Sequence, residues 1–134
     1  MSFELMPDHQ RWAQRARGKY GRTKEAWLNL IALQEGCCAL SGAPLLFDAQ
    51  SGTPVAGGQG AHPLYAAVDH IAPGRSDHGY QIVSYDLNDL KGHLPVRLFR
   101  CLQSTEAWQE LMSAWREQAL KDAHDRDAFR CIRS

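Results

Sequence analysis

The sequence predicts an α+β fold with far more helix than strand, and three observations carry that expectation. Two β-like runs, "LYAAVDHIA" and "GYQIVSY", stand in the middle of the chain with "PGRSDHG" between them. Apolar residues at helical spacing flank them, Trp27, Leu28 and Ile31 on one side and Trp108, Leu111, Met112 and Trp115 on the other. A chain of 134 residues, 44% hydrophobic and 22% charged, suits one domain with one core rather than a disordered polymer.

The elements follow in order. Asp8 is placed to cap a helix from about His9 to Arg17, with Gly18 and Gly21 bracketing a turn. Thr23 caps "KEAWLNLIALQEG", whose stripe is Trp27, Leu28, Ile31 and Leu33 or Gln34, and Gly36 stops it. "CCALSGAPLLFD" reads as a short turn-rich element, with a β-hairpin as one form and Gly42 and Pro44 at the bend. Residues 48–63 carry Gly52, Pro54, Gly57, Gly58, Gly60 and Pro63 and are expected to form a loop.

After the two strands, "DLNDLKGH" is a short helix capped by Asp86 or Ser84 and closed by Gly92. Pro95 opens a further helix through "VRLFRCL". Ser104 is expected to cap a long amphipathic helix with Ala107, Trp108, Leu111, Met112, Trp115 and Leu120 along one stripe. The charged tail after Asp122 is compatible with helix or with fraying.

Composition narrows the function classes. No apolar run approaches the ~20 residues of a membrane helix, so no membrane partner is expected. "MSFELMPDHQRW" lacks the basic and apolar regions of a secretory signal. Cys37, Cys38, Cys101 and Cys131 have no repeated pair spacing, and a vicinal pair makes a poor disulfide. A reduced, cytoplasmic protein is expected, with the four cysteines as small buried hydrophobes. Formal net charge is zero, yet Arg11, Arg15, Arg17, Lys19, Arg22 and Lys24 lie between positions 11 and 24 with no acid among them. Such a cluster either binds the phosphates of a nucleic acid or is a solvated helix face.

Chemistry concentrates in the middle unit. Asp69 and His70 stand together at the expected end of the first strand, before the Pro73-Gly74 break, and Asn88 follows early in the short helix. A hairpin with the helix folded back across it would let Asp69 and Asn88 face each other as oxygen ligands of a hard cation. His70, adjacent on a strand, points the other way and is available as a base. Taken one by one, Asn88 could be a helix cap and Lys91 a solvated cation. His62, His93 and His124 have no partner pattern and read as surface residues.

"CALSGAPL", "AAVDHIAPG" and "QIVSYDLNDLKGHLP" together resemble the HNH, or ββα-metal, nucleases over about residues 36–95. The most specific part is Asp-His-Ile-x-Pro followed by Asn-x-x-Lys-Gly. The resemblance implies a ββα-metal core of β-hairpin and short helix within a single domain spanning 1–134. Residues 1–35 would be a basic helical extension and 96–134 C-terminal helices. It further implies Asp69 and Asn88 as ligands of one divalent metal, Mg²⁺ or Mn²⁺, with His70 as general base. Lys91 stands where it could touch a phosphate. Two departures matter. Gly79 occupies the family's middle-Asn position, where Asn braces the loop that carries the base, and the paired Cys-x-x-Cys knuckles of a structural zinc are missing. The expected function is a metal-dependent endonuclease acting on nucleic acid, with DNA as the expected substrate. The rival is a degenerate HNH fold used for DNA binding or for contact with a protein partner, and a nuclease subunit dependent on such a partner is a third form. Oligomeric state is open.

Overall fold

Pro7 opens the first helix, because a proline at the first helical position loses no intrahelical hydrogen bond. In the computed structural model, which describes residues 3–53, 61–72 and 75–133, this helix α1 spans Pro7–Tyr20. Its N-cap is Met6, not Asp8. Asp8 lies in the first turn and pairs with Arg11 at 2.7 Å, while His9 Nδ1 accepts the Met6 N–H at 2.8 Å. Gly18 lies inside the helix, and the stop is Gly21, with φ +81°. Thr23 caps α2 (Lys24–Leu33) as expected, its hydroxyl accepting the Ala26 N–H at 3.1 Å.

The stripe of α2 resolves in favour of Gln34. Leu33 is 81% exposed, whereas Gln34 turns inward and exchanges hydrogen bonds with Ile82, donating to its carbonyl and accepting from its N–H. That side chain mimics a neighbouring strand. Gly36 leaves the helix at φ +70°, where a Cβ would come within 3.0 Å of the Phe3 ring. The following segment makes only isolated bridges, Cys37 to Pro44 and Leu46 to Tyr65. Of the breaker-rich loop expected over 48–63, residues 54–60 lie outside the described residues.

β1 (Ala66–Ala72) and β2 (Arg75–Ser84) form an antiparallel hairpin, and α3 (Tyr85–Gly92) follows directly and packs on both strands. The connection is shorter than expected, since β2 already begins at Arg75 and "RSDHG" belongs to it. Asp69 and His70 therefore sit inside β1, opposite Gln81 and Tyr80, rather than at its end. The register shifts between His70 and Ala72, and Gly79 takes φ +90° nearby, a conformation that favours glycine. Ser84 occupies the α3 N-cap position, but its hydroxyl makes no capping bond.

α4 (Val96–Gln103) follows Pro95, and α5 (Ala107–Arg133) closes the chain. Ser104 ends α4 instead of capping α5, and its hydroxyl donates to the Cys101 carbonyl. The inward stripe of α5 is Trp108, Met112, Trp115 and Ala119, while Leu111 and Leu120 face solvent. Four-residue and three-residue steps alternate in that stripe, which is the helical period; Leu111 and Leu120 fall off it. One core joins Trp12, Trp27, Ile31, Ile82, Leu87 and Phe99. Two further expectations are corrected: His62 is fully buried, with Nδ1 accepting the Leu64 N–H, and Cys101 is exposed. Cys38 is buried, Cys37 is partly exposed, and the side chain of Cys131 lies outside the described residues. Among the described residues no helix is long and apolar enough to cross a membrane.

Candidate functional site

Asp69 and His70 are consecutive residues of one strand, so their side chains leave opposite faces of the hairpin. Asp69 points toward α3. Its Oδ2 accepts Lys91 Nζ at 2.5 Å and Gln81 Nε2 at 2.9 Å. The Lys91 side chain is 2% exposed and that of Asp69 11%, so the ion pair is buried. Lys91 Nζ also donates to the His70 carbonyl at 2.7 Å. One ammonium thus ties α3 to both residues of the Asp-His pair. Lys91, expected to reach a phosphate, is instead an internal cation in this arrangement.

His70 is half-buried on the other face, where its ring lies 4.9 Å from that of its cross-strand partner Tyr80. Tyr80 in turn contacts Trp27 and Tyr20, and the guanidinium of Arg22 lies 4.6 Å over its ring. This aromatic wall fixes the imidazole from the side while its backbone is held by Lys91. A brace for the His70 backbone is therefore present although Gly79 has no side chain to supply one. Among the described residues, a Cβ at Gly79 would meet only the Ile71 side chain, at 3.7 Å.

Asn88 makes no hydrogen bond with Asp69. It lines a cleft of about 290 Å³ between α1 and the hairpin, together with Arg15, Lys19, Tyr20, Tyr65 and Tyr85. The basic segment divides accordingly. Arg11 is paired with Asp8, and Arg15 donates to the Phe47 carbonyl at 3.0 Å. Arg17 is exposed, Lys19 lies 5.3 Å over the Tyr20 ring, and Lys24 is partly exposed. Arg15 and Lys19 are thus both on the wall of the cleft that contains Asn88.

No protein-family profile, no curated protein and no solved structure matches this chain. The site must be read from its own chemistry. Among the described residues no three His, Cys, Asp or Glu side chains gather as a metal cluster. The Asp69 carboxylate is a hard oxygen ligand of the kind Mg²⁺ or Mn²⁺ takes, but the groups against it are the Lys91 ammonium and the Gln81 amide N–H. Asp69 Oδ2 is engaged by Lys91 and Gln81, while no described residue hydrogen-bonds Oδ1. The sequence motif expected Asp69 to face Asn88 with His70 beside it and Lys91 free for a phosphate, whereas it is Lys91 that reaches Asp69 and the His70 carbonyl. Gln81, Tyr80 and Gln34 it missed, although cross-strand placement of Gln81 and Tyr80 follows once the hairpin register is known.

Proposed function

We propose that this protein is an endonuclease of the HNH, ββα-metal, type that hydrolyses nucleic-acid phosphodiester bonds, with DNA as the substrate. The observation that supports it is the hairpin-then-helix unit in which Asp69 and His70 occupy adjacent positions on β1 and α3 is tied to both through Lys91. His70 takes the proton of a water, whose oxygen attacks phosphorus as the P–O bond to the leaving oxygen breaks. Tyr80 and Lys91 hold the imidazole and its backbone in place during that transfer. For one divalent ion to bind Asp69 and Asn88, as the resemblance implies, Lys91 would have to release the Asp69 carboxylate and Asn88 to turn out of its cleft, because the two side chains do not meet in this arrangement. When bound, the ion supplies positive charge against the charge that develops on the phosphoryl and leaving oxygens. The cations of α1 would track the backbone without reading sequence.

The second reading is a nucleic-acid-binding module without hydrolysis. It is favoured by the same ion pair, since Asp69 already has an internal countercharge in Lys91. Nicking of supercoiled plasmid decides between them. Relaxed circles that form with Mg²⁺ or Mn²⁺, and disappear with chelator and in His70→Ala, support the endonuclease. Binding without nicking under every metal condition supports the module.

A further inference from the structure

We propose that Arg22, over the ring of Tyr80 that His70 also contacts, is a phosphate-binding residue of this site, holding a backbone phosphodiester of the nucleic acid on the face of the hairpin that carries the imidazole. The inference rests on the nucleic-acid reading above and says where on the surface the phosphate sits.

The first observation is conformational. Arg22 has φ +64°, the left-handed region that a side chain with a Cβ disfavours. Its neighbour Gly21 shows what this linker between α1 and α2 uses when conformation alone decides, with φ +81° and no side chain. The Gly21 carbonyl accepts Trp27 Nε1 at 2.8 Å and its N–H donates to the Arg17 carbonyl at 2.9 Å, so the linker is held from both ends. Arginine stands at position 22 against local preference. Strain of this kind is retained where the side chain has a task.

The second observation is the position of that side chain. The guanidinium carbon lies 4.6 Å from the centroid of Tyr80, whose ring is 4.9 Å from that of His70. Arg22 and His70 therefore both contact the Tyr80 ring. Arg22 is exposed, and among the described residues no carboxylate pairs with it. A guanidinium stacked on a ring keeps its in-plane N–H donors for another partner, and their fork matches two oxygens of a phosphate. A groove of about 230 Å³ runs beside it, lined by Trp27, Asn29, Leu30 and Tyr80. This is the face of the hairpin to which His70 belongs, opposite the Asp69–Lys91 pair.

Two substitutions separate charge from strain. Arg22→Gly removes the charge and relieves the left-handed conformation, whereas Arg22→Gln removes the charge and keeps the conformation. Binding of a short fluorescent DNA duplex is measured by anisotropy over a salt series with chelator present, and thermal midpoints are recorded for the same samples. Both variants should bind more weakly, with a slope of log K against log salt reduced by about 0.9, one phosphate contact on duplex DNA. Only Arg22→Gly should melt at higher temperature than wild type. An unchanged slope in either variant, a lower midpoint for Arg22→Gly, or a wild-type protein that does not bind the duplex would overturn the assignment. Reduced slopes in a protein that nicks no plasmid would leave the phosphate site standing and remove only the hydrolytic reading.

Discussion

Lys91 Nζ lies 2.5 Å from Asp69 Oδ2 in a pair whose side chains are 2% and 11% exposed, and the same nitrogen donates to the His70 carbonyl. An ion pair this deep carries a large desolvation cost, and each partner is tolerated only because the other is present. Removing Lys91 alone therefore strands a carboxylate. Lys91→Met should destabilise the protein by about 3–5 kcal/mol, read from denaturant unfolding. Asp69→Asn with Lys91→Met should recover much of that loss. A double variant as unstable as the sum of the two single variants would mean that the pair is not coupled.

The same relationship bears on metal binding. If Lys91 is the resident countercharge of Asp69, Mn²⁺ should raise the thermal midpoint of Lys91→Met more than that of wild type, by selective binding to the folded state. Asp69→Ala should abolish the Mn²⁺ effect, and Asn88→Ala should weaken it. Equal shifts in wild type and all three variants would place the ion elsewhere on the molecule.

His70→Ala should cut single-turnover cleavage by about 10²–10⁴-fold, the usual contribution of a general base. The half-buried ring touches Tyr80 at the hairpin surface and fills no core position, so duplex affinity in chelator should stay near wild type. Cleavage at the wild-type rate would remove the role assigned to this imidazole.

The basic segment separates into structural and free cations. Arg15 holds the Phe47 carbonyl, so its reversal would disturb packing as well as charge. Arg17 and Lys19 are exposed in the last turn of α1, and neutral Arg17→Gln with Lys19→Gln should lower the thermal midpoint only slightly, through the lost charge at the helix C-terminus. Their effect should fall on the salt dependence of duplex binding, with a slope lower by about 0.9 for each residue that contacts phosphate. A slope equal to wild type would make this part of α1 a solvated face.

His9 gives the fold a pH dependence of its own. Burial pushes its imidazole below the ordinary value of 6.5, and the Asp8 carboxylate opposes this more weakly. The neutral ring is also the form whose Nδ1 can accept the Met6 N–H. The unfolded chain therefore binds this proton more tightly than the folded one. The associated stability is complete above about pH 6.5 and is lost as pH falls through the lower folded value. His9→Gln keeps an acceptor at the third helical position without a titrating group. Its thermal midpoint should fall less than that of wild type between neutral and mildly acidic pH, and parallel curves would show that other groups control the acid limb.

The α+β class, the helix capped by Thr23, the hairpin strands and the short helix after them were legible because each is a local pattern. Alternation, caps and breakers act within a few residues of chain, and Thr23, Gly36, Pro95 and the Asp69-His70 pair carry their information in that range. The errors fall where two readings were locally equal. Ser104 has the chemistry of a helix start and ends one, because its hydroxyl finds the Cys101 carbonyl behind it. Leu33 and Gln34 both fit the α2 stripe, and only the approach of β2 gives the amide of Gln34 a partner in Ile82. His62 looks like a surface histidine until the fold closes over it.

The site divides in the same way. Sequence alone determined that an acid and an imidazole stand side by side on a strand, with an amide and a lysine on the helix that follows. Only the tertiary structure decided that Lys91, and not Asn88, reaches Asp69, and that Asn88 looks into the cleft with Arg15 and Lys19. It also decided that Arg22, fifty-eight residues before Tyr80, lies over the ring that His70 contacts. The physical reason is that side-chain type and spacing set what a residue can bond to, whereas the partner is chosen by which elements pack together. Desolvation then enforces that choice, since an ammonium enclosed between α3 and β1 must take the carboxylate and carbonyl within its reach.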